Sequence, residues 1–212
     1  FTQQSNYQPH QRGMKKMANH VNNYLRVECI SPEGQKVWDS FIERIEALAE
    51  DGSAGHLTGL FYKADEDGYW IVPEGEHASE AVGAKWAFAY DMDEEFVNIE
   101  SAWSPVIPLA EHIAQEIGKV DPSVQLVMTY EDEGPNFVGV TTFDVDGVNS
   151  DIDLDWDDLR DLVINQHEEI QERWDAEECD WHEGQEEEGE DMMSEVIWDT
   201  ANDWQHDNIE WS

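Results

Sequence analysis

The chain reads as an open α+β protein: a mainly antiparallel sheet with helices packed on one face, followed by an acidic C-terminal helical extension. Three observations predict this. Short runs of alternating apolar and polar residues recur along the first two thirds. Two longer stretches repeat their apolar residues at intervals of three and four. Their order is strand, helix, strands, helix, strands, which layers helices on a sheet rather than winding a parallel one.

Val21 to Ile30 is the first strand, with Leu25, Val27 and Cys29 toward the core and Tyr24, Arg26 and Glu28 away from it. Ser31 is an N-cap and Pro32 suits the first helical position. Trp38, Phe41, Ile45 and Leu48 then form the buried stripe of a helix ending near Glu50. The glycine-containing segment from Asp51 to Gly83 reads as a hairpin or an irregular insertion, with Asp67-Gly68 as a turn. Lys85 to Tyr90 and Phe96 to Trp103 are paired strands around an acidic turn. Ser104-Pro105 opens a second helix whose inward residues are Val106, Ala110, Ile113 and Ile117. Val124 to Tyr130 and Phe137 to Val145 are further strands.

Beyond this point the character changes. Asp151, Asp153, Asp155, Asp157 and Asp158 lead into a helix carrying Trp156, Leu159, Val163, Ile170 and Trp174. Carboxylates at a helix N-terminus are favoured by the macrodipole. Asp175 to Asp191 is a charge run expected to be extended or mobile. Met192 to Trp211 regains a helical pattern, with Ile197, Ala201, Trp204 and Trp211 on one face and Trp198 beside it. Such a helix should dock on the core, on a sister subunit or on a target. The expected organisation is a leader or foreign segment at 1–16 without fixed structure, an α+β domain at 17–150, and an acidic, Trp-containing region at 151–212.

Charge restricts the function. The 212 residues hold 50 acidic side chains against 11 Lys and Arg, a formal net charge of −39. Past Lys119 the basic residues are Arg160 and Arg173. Such a surface repels nucleic acid and anionic membranes, and a duplex binder needs the opposite sign. No apolar run approaches transmembrane length. With 2 cysteines, Cys29 and Cys179, there is no disulfide framework, and a reducing cytoplasmic compartment is the simpler reading.

Motifs for chemistry are missing. There is no GxSxG elbow, Walker loop, GxGxxG or HExxH. Asp151, Asp153 and Asp155 start like a calcium loop, but Trp156 and Leu162 stand where the pattern needs Gly and Glu. The expectation is no catalytic residue, no metal site and no cofactor.

Four stretches resemble the YubB-type ferredoxin-like domain family of phages and conjugative plasmids. They are Asn19-His20-Val21-Asn22-Asn23-Tyr24-Leu25-Arg26-Val27, Gly83-Ala84-Lys85-Trp86, Ser101-Ala102-Trp103-Ser104-Pro105, and Tyr130 through Gly139 with Gly134-Pro135 at its centre. The resemblance covers about Asn19 to Val148 and implies a ferredoxin-like sandwich; it carries over no catalytic residue. As physical features, Trp86 and Trp103 read as core anchors and Gly134-Pro135 as a turn.

Charge and resemblance together suggest a non-enzymatic mobile-element protein that binds a basic, nucleic-acid-binding host or defence protein, as a nucleic-acid mimic. The expected partner surface comprises Asp151, Asp153, Asp155, Asp157 and Asp158, then Glu186, Glu187, Glu188, Glu190 and Asp191, with Trp198, Trp204 and Trp211 as apolar anchors. The alternatives are a salt-adapted accessory protein with a solubilising surface, and a homo-oligomeric structural protein.

Overall fold

The computed structural model describes residues 19–50, 56–67 and 69–209. Residues 1–16, Gly68 of the expected turn and Trp211 lie outside the described residues. The fold is α+β, built on one six-stranded sheet. In chain order its elements are β1 (His20–Cys29), α1 (Pro32–Glu50), β2 (Ala87–Met92), β3 (Phe96–Ala102), α2 (Ile107–Gly118), β4 (Gln125–Asp132), β5 (Phe137–Asp144) and β6 (Gly147–Asp155). There follow α3 (Trp156–Gln166), α4 (Glu168–Gln171), β7 (Trp174–Asp175), β8 (Asp180–Trp181) and α5 (Glu186–Asp207). The sheet order is β2-β3-β1-β4-β5-β6, antiparallel at every neighbour.

Helices cover both faces, which corrects the expected one-sided packing. Val21 and Leu25 of β1, Val97 and Ile99 of β3, and Leu126 and Met128 of β4 are fully buried with Trp38, Ile45, Leu109, Ile113 and Ile117 in one cluster. That places α1 and α2 on this face. A second cluster joins Val138, Leu159, Val163, Ile170, Met193, Ile197 and Ala201, with Leu154 against it. Val138 and Leu154 are register partners on β5 and β6. Phe137, one residue earlier, packs on the first cluster. Successive strand residues point to opposite faces, so α3 and α5 lie on the other side of the sheet.

The α1 stripe is as predicted, with Leu48 half-buried, and Ser31 Oγ accepts the Gly34 N–H at 3.2 Å. Cys29 is corrected: the register shifts between Val27 and Cys29, which leaves the thiol exposed. The insertion before β2 is irregular, holding a 3-10 turn at Leu57–Leu60 and an isolated Ala64–Trp70 bridge.

The second helix does not begin on Ser104-Pro105. It starts at Ile107 after Val106, without a side-chain cap, and a strand side chain fixes the residue that precedes it. Asn23 Oδ1 accepts the Val106 N–H at 3.0 Å, while its amide donates to Ile99 O at 3.0 Å and Ser101 Oγ at 2.9 Å. Ser101 Oγ donates to Ser104 O at 2.8 Å, and Ser104 Oγ donates to Gly83 O at 2.7 Å. Gly83 has φ +92°, and a Cβ there would stand 2.4 Å from Pro108 Cδ. A side chain is excluded twice over, by backbone conformation and by space.

The C-terminal elements differ most from expectation. Asp151, Asp153 and Asp155 lead into α3 as expected, with Asp155 its N-cap, but they do so from a strand, β6, so the sheet runs past position 150. Ile152 and Leu154 supply the apolar half of the alternation. The charge run expected to be extended or mobile holds most of the β7–β8 ribbon, from Asp175 on, and the first turns of α5, which begins at Glu186. Trp174 belongs to that ribbon rather than to a helix.

Candidate functional site: a tryptophan-lined cleft beside an acidic edge

Asp151, Asp153 and Asp155 occupy alternate positions of an edge strand, so all three side chains emerge on one face. Asp151 accepts a 2.7 Å hydrogen bond from Thr141 Oγ1 and lies 3.5 Å from the Tyr130 hydroxyl. Tyr130 belongs to the α1–α2 cluster, so the row stands on that face. Burial first, then the charges of Asp151 and Asp153, push the Tyr130 phenol well above its ordinary range. The Tyr130 ring also fills the space over Gly139, where a Cβ would lie 2.2 Å from Cζ.

Asp155 ends the row and caps α3, accepting the Asp158 N–H at 3.0 Å. Asp157 accepts from Arg160 at 2.7 Å, and Asp158 is exposed in the same first turn. Glu186, Glu187 and Glu188 fill the first turn of α5, where their charge meets the positive end of the helix dipole. Glu188 pairs with Arg173 at 3.1 Å, and Asp191 is exposed. The β6 row and α5 therefore sit on opposite sides of the sheet. The single acidic surface expected from the sequence divides into two.

What α5 does assemble is an open cleft of about 570 Å³. Its walls include Trp156 from α3, Trp174 and Trp181 from the ribbon, and Trp198 from α5, with Met193 and Ile197 at the floor. The Trp174 and Trp181 rings meet edge to face, with centroids 5.1 Å apart. Trp181 needs Gly189 beneath it, because a Cβ there would fall 2.4 Å from its ring. Glu133, Asp180 and Glu190 stand at the margin, and all three are exposed. Arg160 stacks on Trp174, its Cζ 5.1 Å from the ring centroid. Burial disfavours the Arg160 charge, but hydrogen bonds and attraction from Asp161 and Asp157 outweigh it and raise the pKa.

Of the expected partner residues, Trp198 and Glu190 line this cleft. Trp204 is half-buried against the second cluster instead. The sequence reading missed Trp156, Trp174, Trp181, Arg160, Glu133 and Asp180 as site residues. They come from separate elements, and no spacing along the chain brings them together.

Trp86 and Trp103 are not core anchors. They are 43% and 49% exposed, with ring centroids 5.5 Å apart. Lys85 Nζ lies 5.8 Å from the Trp86 ring and 5.4 Å from the Trp103 ring. Trp103 has φ 66°, an outlier for a bulky residue, with its N–H bonded to Asn19 O at 3.0 Å.

On the α5 side, a polar groove of about 330 Å³ opens over β1, β3 and β4, lined by Asn22, Tyr24, Asn98, Thr129 and Asn202 among others. Among the described residues no group of three or more His, Cys, Asp or Glu is placed to hold a metal, and no helix is long and apolar enough to cross a membrane. His112 packs edge-on against Phe61, with ring centroids 4.9 Å apart, and burial lowers its pKa.

The molecule is thus an acidic α+β protein with an aromatic cleft. No family model, curated protein or solved structure matches the chain.

Proposed function

We propose that the chain is a non-enzymatic protein of a phage or other mobile element that binds a basic, nucleic-acid-binding protein of the host or its defences, in the host cytoplasm. It takes the place of nucleic acid on that partner. The observation that carries this reading is the β6 row. Three aspartates project on one face of an exposed edge strand that holds no basic residue, in a chain of net charge −39.

Alternate strand residues repeat at about 6.7 Å. One strand of duplex DNA carries a charge per about 3.4 Å of axis. The row thus offers about half the linear charge of one DNA strand. Asp157 and Asp158, in the turn that continues it, raise that density.

We read β1 to β4 with α1 and α2 as ferredoxin-like. Supporting this are the order β2-β3-β1-β4 and the helices that follow β1 and β3. The mobile-element assignment rests on the four resembling stretches. The hydrogen-bond chain Asn23–Ser101–Ser104–Gly83 links three of them physically, and Asn19 reaches Asp132 in the fourth at 3.2 Å.

The test is capture of host proteins on the immobilised full chain, followed by elution with duplex DNA at constant ionic strength. Nucleic-acid-binding proteins should be released by DNA. The triple variant Asp151→Asn, Asp153→Asn, Asp155→Asn should retain few of them, because Asn keeps the α3 cap while removing the charge. Capture that DNA does not displace, or that the variant leaves intact, refutes the proposal. Stability that only climbs with salt, with nothing specifically captured, would assign the charge to salt adaptation.

A further inference from the structure

We infer that the tryptophan-lined cleft is a receptor for an arginine side chain presented by the basic protein partner. The inference deepens the proposed function and rests on it. A guanidinium is planar, weakly hydrated and always charged, and it stacks on indole faces while donating to carboxylates in its plane. The cleft supplies both kinds of contact: four tryptophans from α3, the β7–β8 ribbon and α5, and the carboxylates of Glu133, Asp180 and Glu190 at its margin.

Arg160 already displays the chemistry on one wall. Its Cζ lies over the Trp174 ring, 5.1 Å from the centroid, and its guanidinium pairs with Asp157 and Asp161. Because those two carboxylates engage its guanidinium, the cleft keeps a net excess of negative charge. An anionic occupant would face that excess. A purely apolar occupant would desolvate the three marginal carboxylates without compensation. The cleft falls within the size range of sites that bind small ligands.

A control is built into the chain. Trp86 and Trp103 form a second exposed indole pair, but Lys85 already lies over both rings. With a cation already in place over those rings, that pair should not take up arginine, and a shift there would report non-specific contact with indoles.

The experiment titrates the full chain with N-acetyl-arginine amide and follows the indole N–H signals by nitrogen-15 correlation spectra. The neutral isostere N-acetyl-citrulline amide is run in parallel. The expected result is a saturable shift of the Trp156, Trp174, Trp181 and Trp198 signals, with Trp86 and Trp103 unmoved and citrulline without effect. Asp180→Asn with Glu190→Gln should weaken binding about fivefold, and Trp156→Ala about threefold. These positions are exposed, so the fold persists, which the unchanged signals of the remaining indoles would verify. An equal response to citrulline, shifts at Trp86 and Trp103 of the same size, or no indole shift overturns the inference. If arginine fails while DNA-displaceable capture persists, the cleft assignment falls and the partner reading stands. Saturable arginine binding without such capture keeps the guanidinium site and removes the partner reading.

Discussion

Trp38 and Trp174 stand on opposite sides of one sheet. Trp38 is fully buried among α1 and the first cluster, and its indole N–H donates to Glu94 O at 2.9 Å. Trp174 is half-buried, packed against Trp181 and stacked by Arg160. The α1–α2 face encloses its indole with Leu, Ile and Val side chains, which interdigitate and leave little space. On the α3–α5 face, tryptophans pack on one another and on a two-stranded ribbon, and large rigid rings meeting at edges leave a gap. The same residue type therefore builds a closed core on one face and the walls of a cleft on the other.

The largest effect should come from the closed face. Trp38→Ala should cost about 3–5 kcal/mol in denaturant unfolding, from lost burial, a cavity and the lost hydrogen bond to the Glu94 carbonyl. Trp156→Ala on the open face should cost no more than about 1 kcal/mol. Similar losses at both positions would erase the contrast.

A second probe concerns Asp121, which ties the start of α1 to the loop before β4. Its carboxylate accepts from the Ser123 hydroxyl at 2.6 Å and from the Ser31 N–H. The Ser123 hydroxyl first, then the Ser31 N–H, lower its pKa from the ordinary 3.8 to about 2. A folded pKa below the unfolded one gives stability that is fully present above pH 4 or so and is lost as pH falls toward 2. The contribution should reach about 2 kcal/mol, and Asp121→Asn should remove it together with its acid dependence. Acid unfolding curves unchanged by that substitution would refute this.

The smallest effect tests how the two faces are joined. Gln205 of α5 is buried and donates to Tyr130 O at 2.9 Å and Gly139 O at 3.1 Å. Gln205→Ala should cost about 1–2 kcal/mol and speed amide exchange in α5 more than in α1 or α2. Uniform acceleration across the chain would mean that the faces unfold as one unit.

Much of the closed face was legible in the sequence because its signals are local. The spacing of Trp38, Phe41 and Ile45 defines a helix, and Val106, Ala110, Ile113 and Ile117 define another. The start of α2 was not legible, since the residue before it is held by Asn23 from a strand far away in sequence. Trp86 and Trp103 were misread because residue type gives a preference for burial and not its outcome. In β6 the alternation Asp-Ile-Asp-Leu-Asp carries a strand period, but the density of carboxylates drew the reading to the helix entry that follows, and the strand went unread. Only Trp198 and Glu190 of the cleft were anticipated. A site assembled from four elements has no signature along the chain, and the two-residue strands β7 and β8 are too short to announce themselves.

The position of β6 has one more consequence. It is the last strand of the sheet, so one row of its backbone N–H and C=O groups faces away from β5. Such an edge is a template for another chain to extend the sheet. A second copy of β6 laid antiparallel against it would bring two aspartate rows to cross-strand distances of about 5 Å, where like charges repel. The row thus acts as a guard against stacking of the protein into ribbons of its own copies. An edge crowded with acid pairs less readily with its own copy than with a strand of opposite charge.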